Sequence, residues 1–312
     1  MIYDVIIIGG GPAGLTAAIY ASRAGMKTIV IESYKIPGQA ILTSDIENYP
    51  GFPDGITGFE LITGFKKQAE KFGTEIKSDE IEKINTKTKN IYEITLSSGE
   101  KIETHSVIVA SGASPKKINV PGEDRLRGKG VSYCAVCDGA FFKGKNIAVI
   151  GGGDTAVEEA IFLTKFADKV TLIHRRDRLR AFKILEDRAK ANKKIAFLWN
   201  SVVQEIEGLK KTESLKIKNL KTEKEESLPF DGVFIFAGYT PNSSFLKSFI
   251  KLDKEGYVNT DDDMKVEKEG VFVCGDVRKK LLRQIVTACG DGATAAFSAK
   301  KYVDELKGMA YK

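Results

Sequence analysis

The feature that most restricts this chain is a pattern that occurs twice. Tyr3-Asp4-Val5-Ile6-Ile7-Ile8 is a strand-sized apolar run, Gly9-Gly10-Gly11-Pro12-Ala13-Gly14 follows it, and Leu15–Ala24 has helical periodicity. About 140 residues later the order returns: Asn146-Ile147-Ala148-Val149-Ile150, then Gly151-Gly152-Gly153-Asp154-Thr155-Ala156, with a helix running to Phe166. Thr28–Ile31 and Lys169–Ile173 supply the next strand of each copy. A strand joined through a helix to a parallel strand is a βαβ unit, and two such units commit much of the chain to parallel sheets covered by helices. Further strands are expected at Ser106–Ala110, Ala196–Val203, Ser214–Leu220, Gly232–Ala237 and Gly270–Cys274, with hairpin character over Thr74–Leu96 and a long helix over Gln284–Tyr302.

A length of 312 residues suits two domains. Two joints are punctuated by Gly, Pro and Asn after an apolar strand: Ser111-Gly112-Ala113-Ser114-Pro115 and Gly238-Tyr239-Thr240-Pro241-Asn242. The expectation is an α/β fold of two Rossmann-like, three-layer nucleotide-binding domains. Residues 1–114 and 245–312 form a discontinuous outer domain, and 115–244 are inserted into it. The net charge is only +6, the lysines are scattered, and no basic stripe is interleaved with aromatics, so nucleic acid is not an expected partner. No apolar run approaches a membrane span. The N-terminal run is strand-sized and broken by Asp4, so it reads as a strand and not as a leader, and the expected location is the cytoplasm.

A Gly-x-Gly-x-x-Gly turn lets backbone approach a pyrophosphate and aims helix N–H groups at its charge. Gly9, Gly11 and Gly14 have that spacing, and Glu32 ends the next strand 21 residues after Gly11, where a carboxylate accepts from a ribose hydroxyl. The first loop therefore suits FAD or NAD. In the second loop Gly151 and Gly153 are followed by Ala156 in the third place. The strand after it ends in His174-Arg175-Arg176, with Arg180 beyond, and no carboxylate takes the ribose position. Guanidinium forks suit a ribose carrying a 2′-phosphate, which points to NADP.

Cys134-Ala135-Val136-Cys137 has no second ligand pair, and neither His105 nor His174 has ligand spacing, so no metal is expected. The spacing suits a reversible disulfide at a helix start. Asp138 follows directly and either passes a proton to a leaving thiolate or merely forms an Asp-Gly turn. Cys274 and Cys289 fall within apolar strand and helix patterns and read as core.

Together these segments resemble the low-molecular-weight, bacterial-type thioredoxin reductases. The resemblance rests on Gly9–Gly14, Glu47-Asn48-Tyr49-Pro50-Gly51, Ser111–Pro115, Cys134–Gly139, Gly151–Glu159, His174–Arg180, Gly275-Asp276-Val277 and Arg283-Gln284, in this order. It implies a homodimer with one FAD and one redox disulfide per chain, moving electrons from NADPH to thioredoxin. By position it implies that Gly9, Gly11, Pro12, Ala13, Gly14, Glu32, Gly38, Gln39, Asn48, Gly112 and Gly275 serve FAD. Asp276 would hold the ribityl chain, with Arg283, Gln284 and Ile285 near the isoalloxazine. Gly151, Gly153, Asp154, Thr155, Ala156, His174, Arg175, Arg176 and Arg180 would serve NADPH. Cys137 would face the flavin, and Cys134 would exchange with the partner's sulfur. Ser111 stands where Thr is usual, and Lys279-Lys280-Leu281-Leu282-Arg283 is more basic than in many relatives.

The dithiol and the nicotinamide site share the inserted domain, and both must reach one flavin. A rotation on joints near Ser114 and Asn242 is therefore expected between half-reactions. The rival readings are an NADPH–ferredoxin or flavodoxin oxidoreductase, a ferredoxin-dependent thioredoxin reductase, and a non-enzymatic nucleotide-binding redox sensor.

Overall fold

A computed structural model describes residues 2–35, 38–43 and 46–309, with backbone only for Leu42, Val136 and Cys137. The chain divides into two compact units, one of residues 1–114 with 240–312 and one of 115–239. In chain order the first unit runs β1 (Ile2–Ile8), α1 (Pro12–Arg23), β2 (Thr28–Glu32), α2 (Gly58–Lys71), β3 (Glu75–Ser78), β4 (Ile81–Thr88), β5 (Ile91–Leu96), β6 (Lys101–Val109) and β7 (Ala113–Pro115). The second holds β8 (Val131–Ser132), α3 (Ala135–Asp138), β9 (Asn146–Gly151), α4 (Asp154–Leu163), β10 (Lys169–His174), α5 (Lys183–Ala191), β11 (Ile195–Trp199), β12 (Ser201–Glu207), β13 (Ser214–Asn219), β14 (Glu225–Pro229) and β15 (Gly232–Phe236). The chain returns on β16 (Tyr239–Pro241), which pairs with β7, and ends the first unit with β17 (Val271–Val273) and α6 (Ile285–Leu306). The second crossing thus falls inside the Gly238–Asn242 segment.

The first unit is built on a seven-stranded sheet of order β3-β2-β1-β6-β5-β4, with β17 also paired to β6. β3, β2, β1, β6 and β17 are parallel, and β5 and β4 add an antiparallel edge. β1 is buried on both faces, which is why it reads as an almost unbroken apolar run. Alternate residues feed separate cores: Val5 and Ile7 face the helices α1 and α6, while Ile6 and Ile8 face the opposite layer. α1 and α6 meet through small residues, including Ala13, Ala17, Ala295 and Ala299, and a Cβ at Gly292 would overlap the Ala13 carbonyl. The expected hairpin over Thr74–Leu96 is only partly realised. β4 and β5 form it, but β3 joins β2 in parallel, because the helix α2 between them makes a crossover.

The second unit has a parallel sheet of order β11-β10-β9-β15-β8 and a separate antiparallel sheet β12-β13-β14. Ile147 and Val149 of β9 pack under α4, and Ala148 packs toward the antiparallel sheet, giving three layers. The strand expected over Ala196–Val203 is two strands. Asn200 adopts a φ of +53°, a left-handed conformation that Asn tolerates, and the chain turns there from one sheet to the other. No helix among the described residues is long and apolar enough to cross a membrane.

Candidate active site

In the first unit β1 delivers the chain to Gly9, whose φ of +120° is closed to other residues, and whose Cβ would overlap the Ala110 carbonyl on β6's extension. Gly10 abuts the Glu32 side chain, with only 2.5 Å between a built Cβ and Oε2. Gly11 caps α1 and has open space where its Cβ would be, and Pro12 occupies the first turn, where its missing N–H costs nothing. A Cβ at Gly14 would overlap the Gly9 carbonyl, so the turn closes only on glycine. Gly38 lies beside Gly11 and leads into a 3₁₀ turn from Gln39. The Glu32 carboxylate accepts from Lys66 of α2 at 2.8 Å. Lys66 carries no local sign of this role in the sequence, since the partners lie on different elements.

Asp276 lies in a short 3₁₀ turn after β17, and Gly275, with φ +74°, packs on Ala13 at the start of α1. The Asp276 Oδ1 is buried without a hydrogen-bond partner, and burial raises its carboxyl above the ordinary range against the pull of Lys280 and Arg283. Asp291 of α6 secures this turn. It accepts from the Gly275 N–H at 3.1 Å and pairs with Arg278 at 3.0 Å and Lys280 at 2.7 Å. The basic run noted in the sequence is thus partly consumed by a structural clamp. Gln284 caps α6 through Thr287, and its Oε1 accepts from Asn48 at 3.1 Å, while Ile285 opens the helix. The Arg283 guanidinium lies 4.4 Å from the centre of the Tyr257 ring. Gly112, with φ +67°, accepts from the Asn242 N–H at 3.0 Å, and Asn242 also accepts from Ser114 at 2.7 Å. Cys274 is buried as expected. Cys289 is only half-buried and contacts the Tyr49 hydroxyl at 3.8 Å, because its side of α6 faces the loop ahead of α2 and not the sheet.

The second unit repeats the platform with different chemistry. Gly151 leaves 2.5 Å between its built Cβ and that of Ala156, and Gly152 abuts the His174 ring as Gly10 abuts Glu32. Gly153 caps α4 and opens onto free space. Asp154 accepts from the Phe182 N–H at 2.7 Å, and Thr155 follows in the first turn. The Arg180 N–H donates to the Gly152 carbonyl at 2.7 Å, which ties the arginine segment to the glycine loop. Arg175, Arg176 and Arg180 are exposed and form no ion pair among the described residues, since the adjacent Asp177 turns toward Lys221 at 3.7 Å. His174 is 5% exposed, its Nε2 has no partner, and burial, with the three arginines adding to it, lowers its pKa. The ring fills the space under the loop, against Gly152. Glu159 of α4 was not singled out by sequence pattern. Burial pushes its carboxyl up to about 7, and its Oε2 lacks a partner.

Cys134 is disulfide-bonded, and Cys274 and Cys289 are free; the Cys137 side chain lies outside the described residues. Cys134 precedes the single turn α3, which ends at Asp138, and the Asp138 N–H closes the turn on the Cys134 carbonyl at 3.2 Å. Ala135 packs with Ala156, Val157, Ala160 and Leu163, so the turn bearing the disulfide sits on the helix that the second glycine loop opens. No group of three or more His, Cys, Asp or Glu among the described residues could hold a metal ion.

Two glycine-loop platforms and a disulfide carried on one of them define a class: enzymes that couple pyridine nucleotides to disulfides. The family model for pyridine nucleotide-disulphide oxidoreductases matches residues 3–292, and the chain belongs to that family. Among its relatives, the thioredoxin reductase of Peptoclostridium acidaminophilum is 50% identical, covering 97% of this chain and 98% of that protein. That of Bacillus subtilis strain 168 is 49% identical over 98% of this chain and 96% of its own. The crystal structure of Lactococcus lactis thioredoxin reductase matches with a TM-score of 0.94 at 45% identity, covering 97% of this chain and 99% of that one.

Proposed function

We propose that this chain is an NADPH-dependent, FAD-containing reductase of thioredoxin, acting through a Cys134–Cys137 couple. The observation that carries the reading is that the Cys134 disulfide rides on α4, the helix opened by the glycine loop whose neighbouring arginines are exposed and form no ion pair among the described residues. The cavity chemistry fits both cofactors. Gly11 and Gly153 leave open space at the two helix N-termini, and Asp276 holds a buried, unpartnered oxygen suited to a hydroxyl donor.

The roles then divide between the units. The Gly9–Gly14 turn and α1 hold a pyrophosphate, Glu32 accepts from the ribose hydroxyls, and Asp276 accepts from the ribityl chain. Gly38, Gln39, Asn48, Gly112, Arg283, Gln284 and Ile285 line the remainder. In the inserted unit Gly151–Ala156 hold the second pyrophosphate, and Arg175, Arg176 and Arg180 bind the 2′-phosphate. Bound FAD supplies a two-electron relay between NADPH and the disulfide. Once reduced, the Cys134 thiolate attacks the substrate disulfide, forming a mixed disulfide and releasing one substrate thiolate. The Cys137 thiolate then attacks Cys134, re-forming the internal disulfide and releasing the second substrate thiolate. The substrate gains two electrons and takes up two protons, one of them through Asp138. The reading includes a homodimer in the cytoplasm and rotation at the joints near Ser114 and Asn242. A crosslink pinning the units should stop steady-state turnover, and full turnover would refute the rotation.

The double variant Cys134→Ser/Cys137→Ser tests the chemistry. It should keep its flavin and its reduction by NADPH but lose thioredoxin reduction. Retained thioredoxin reduction would overturn the proposal. Retained transfer to ferredoxin, with none to thioredoxin in the parent enzyme, would favour the ferredoxin reading.

A further inference from the structure

Glu123 is 2% exposed, and no lysine or arginine pairs with it among the described residues. A buried carboxylate without a counter-ion is tolerated only where hydrogen bonds replace its water. Four do so. Its oxygens accept the backbone N–H groups of Ile118 at 3.0 Å, Asn119 at 2.6 Å and Val120 at 3.4 Å, and the hydroxyl of Tyr133. Asn119 adopts a φ of +57°, a bend that lets successive N–H groups converge on one anion.

The two sides of this carboxylate are functionally distinct. Residues 118–120 lie three to five residues past Pro115, where the chain enters the second unit. The turn is anchored there, since the Ile206 N–H of β12 donates to the Pro121 carbonyl at 2.9 Å and a Cβ at Gly122 would overlap the Ile206 carbonyl. On the other side, Tyr133 immediately precedes Cys134, and Arg127 covers its ring at 5.3 Å. Ser132 grips the cysteine's backbone from the buried strand β8. Its hydroxyl accepts from the Cys134 N–H at 3.0 Å and donates to the Cys134 carbonyl at 3.1 Å. The residue before Cys134 is thus held through its side chain, and Cys134 through its backbone.

We propose that Glu123 is a positioning residue for the redox couple: by locking Tyr133 to the 118–120 turn, it holds Cys134 where its disulfide closes most readily. This rests on the redox role proposed above for Cys134. A disulfide between residues three apart depends on how far the backbone is already arranged for ring closure. Loosening Tyr133 lowers the effective concentration of one thiol at the other, so the disulfide becomes easier to reduce.

The test uses full-length flavoprotein with Tyr133→Phe, which loses one hydroxyl, and Glu123→Gln, which turns an amide N–H₂ toward backbone donors. The reduced fraction of Cys134 is measured by alkylation in glutathione buffers of graded ratio. Tyr133→Phe should shift the thiol–disulfide equilibrium about three- to tenfold toward dithiol, and tenfold corresponds to about 30 mV. kcat with thioredoxin should fall, while KM for NADPH stays unchanged. An equilibrium for Tyr133→Phe equal to that of the parent would overturn the proposal, as would equal losses in both half-reactions. If Glu123→Gln does not fold, Tyr133→Phe decides alone. A parent enzyme that fails to reduce thioredoxin would defeat the functional reading instead, and the glutathione equilibrium would still decide the role of Glu123.

Discussion

The two glycine loops are the same device solved for different ligands. In each, the middle glycine exists because the residue ending the next strand lies against it: Glu32 against Gly10, His174 against Gly152. The first unit puts a carboxylate in that place and steadies it with Lys66. The second puts a buried imidazole there and places charge one step outward, on the exposed Arg175 and Arg176. The third position differs too. Gly14 is pressed on the Gly9 carbonyl, whereas Ala156 keeps a methyl group. The helices differ six residues past each cap, with the buried Ala17 in α1 and the partly buried Glu159 in α4. On the proposed assignment, the shared backbone pattern marks a dinucleotide loop, and the side chains at the strand end select which dinucleotide it takes.

The sharpest way to break this comparison is Gly14→Ala. The methyl group must displace the Gly9 carbonyl, so the variant should be insoluble or purify without flavin, as read by the absorbance of the purified protein. The reciprocal Ala156→Gly should cost only about 1 kcal/mol, the helix penalty of glycine, in urea unfolding. A yellow, stable Gly14→Ala protein would mean that the loop is looser than described. Next in size, Arg175→Ala or Arg176→Ala should each weaken NADPH by roughly 10- to 150-fold, because a hydrogen bond to a charged group contributes about 1.5–3 kcal/mol. NADH should respond little, and equal losses for both nucleotides would remove the 2′-phosphate assignment.

The smallest expected effect is on stability. The Glu159 carboxyl rises from 4.5 to about 7 on folding, chiefly through burial. A raised carboxyl gives stability that is complete below pH 4.5 and is lost as pH climbs toward 7. The slope is worth at most about 3 kcal/mol. Glu159→Gln should abolish it, so the variant gains on the parent across that window and runs parallel above it. Parallel urea midpoints from pH 4.5 to 8 would show that the carboxylate is solvated.

Local signals made much of this legible. β1 and β9 announce themselves as apolar runs because parallel strands are buried on both faces, and the glycine turns follow at fixed spacing. The arginine cluster is contiguous and needs no tertiary knowledge to notice. What stayed hidden depends on pairs far apart in the chain. Lys66 meets Glu32, Asp291 gathers Arg278 and Lys280, and Glu123 gathers a turn and Tyr133, yet each alone looks like any surface charge. Asn200 broke a strand that apolar patterning had joined, because patterning does not register a single left-handed residue. Cys289 misled for a related reason: helical periodicity marks the face of α6 but not whether a sheet or a loop covers it.

The central claim is a two-electron path from NADPH to thioredoxin through one flavin and the Cys134 couple. An anaerobic absorbance titration of the purified protein tests it directly. The account predicts a flavin spectrum that bleaches on adding NADPH and returns on adding oxidised thioredoxin, with one thioredoxin disulfide reduced per NADPH consumed. A protein that binds no flavin, or whose bleached flavin is not restored by thioredoxin, would contradict it.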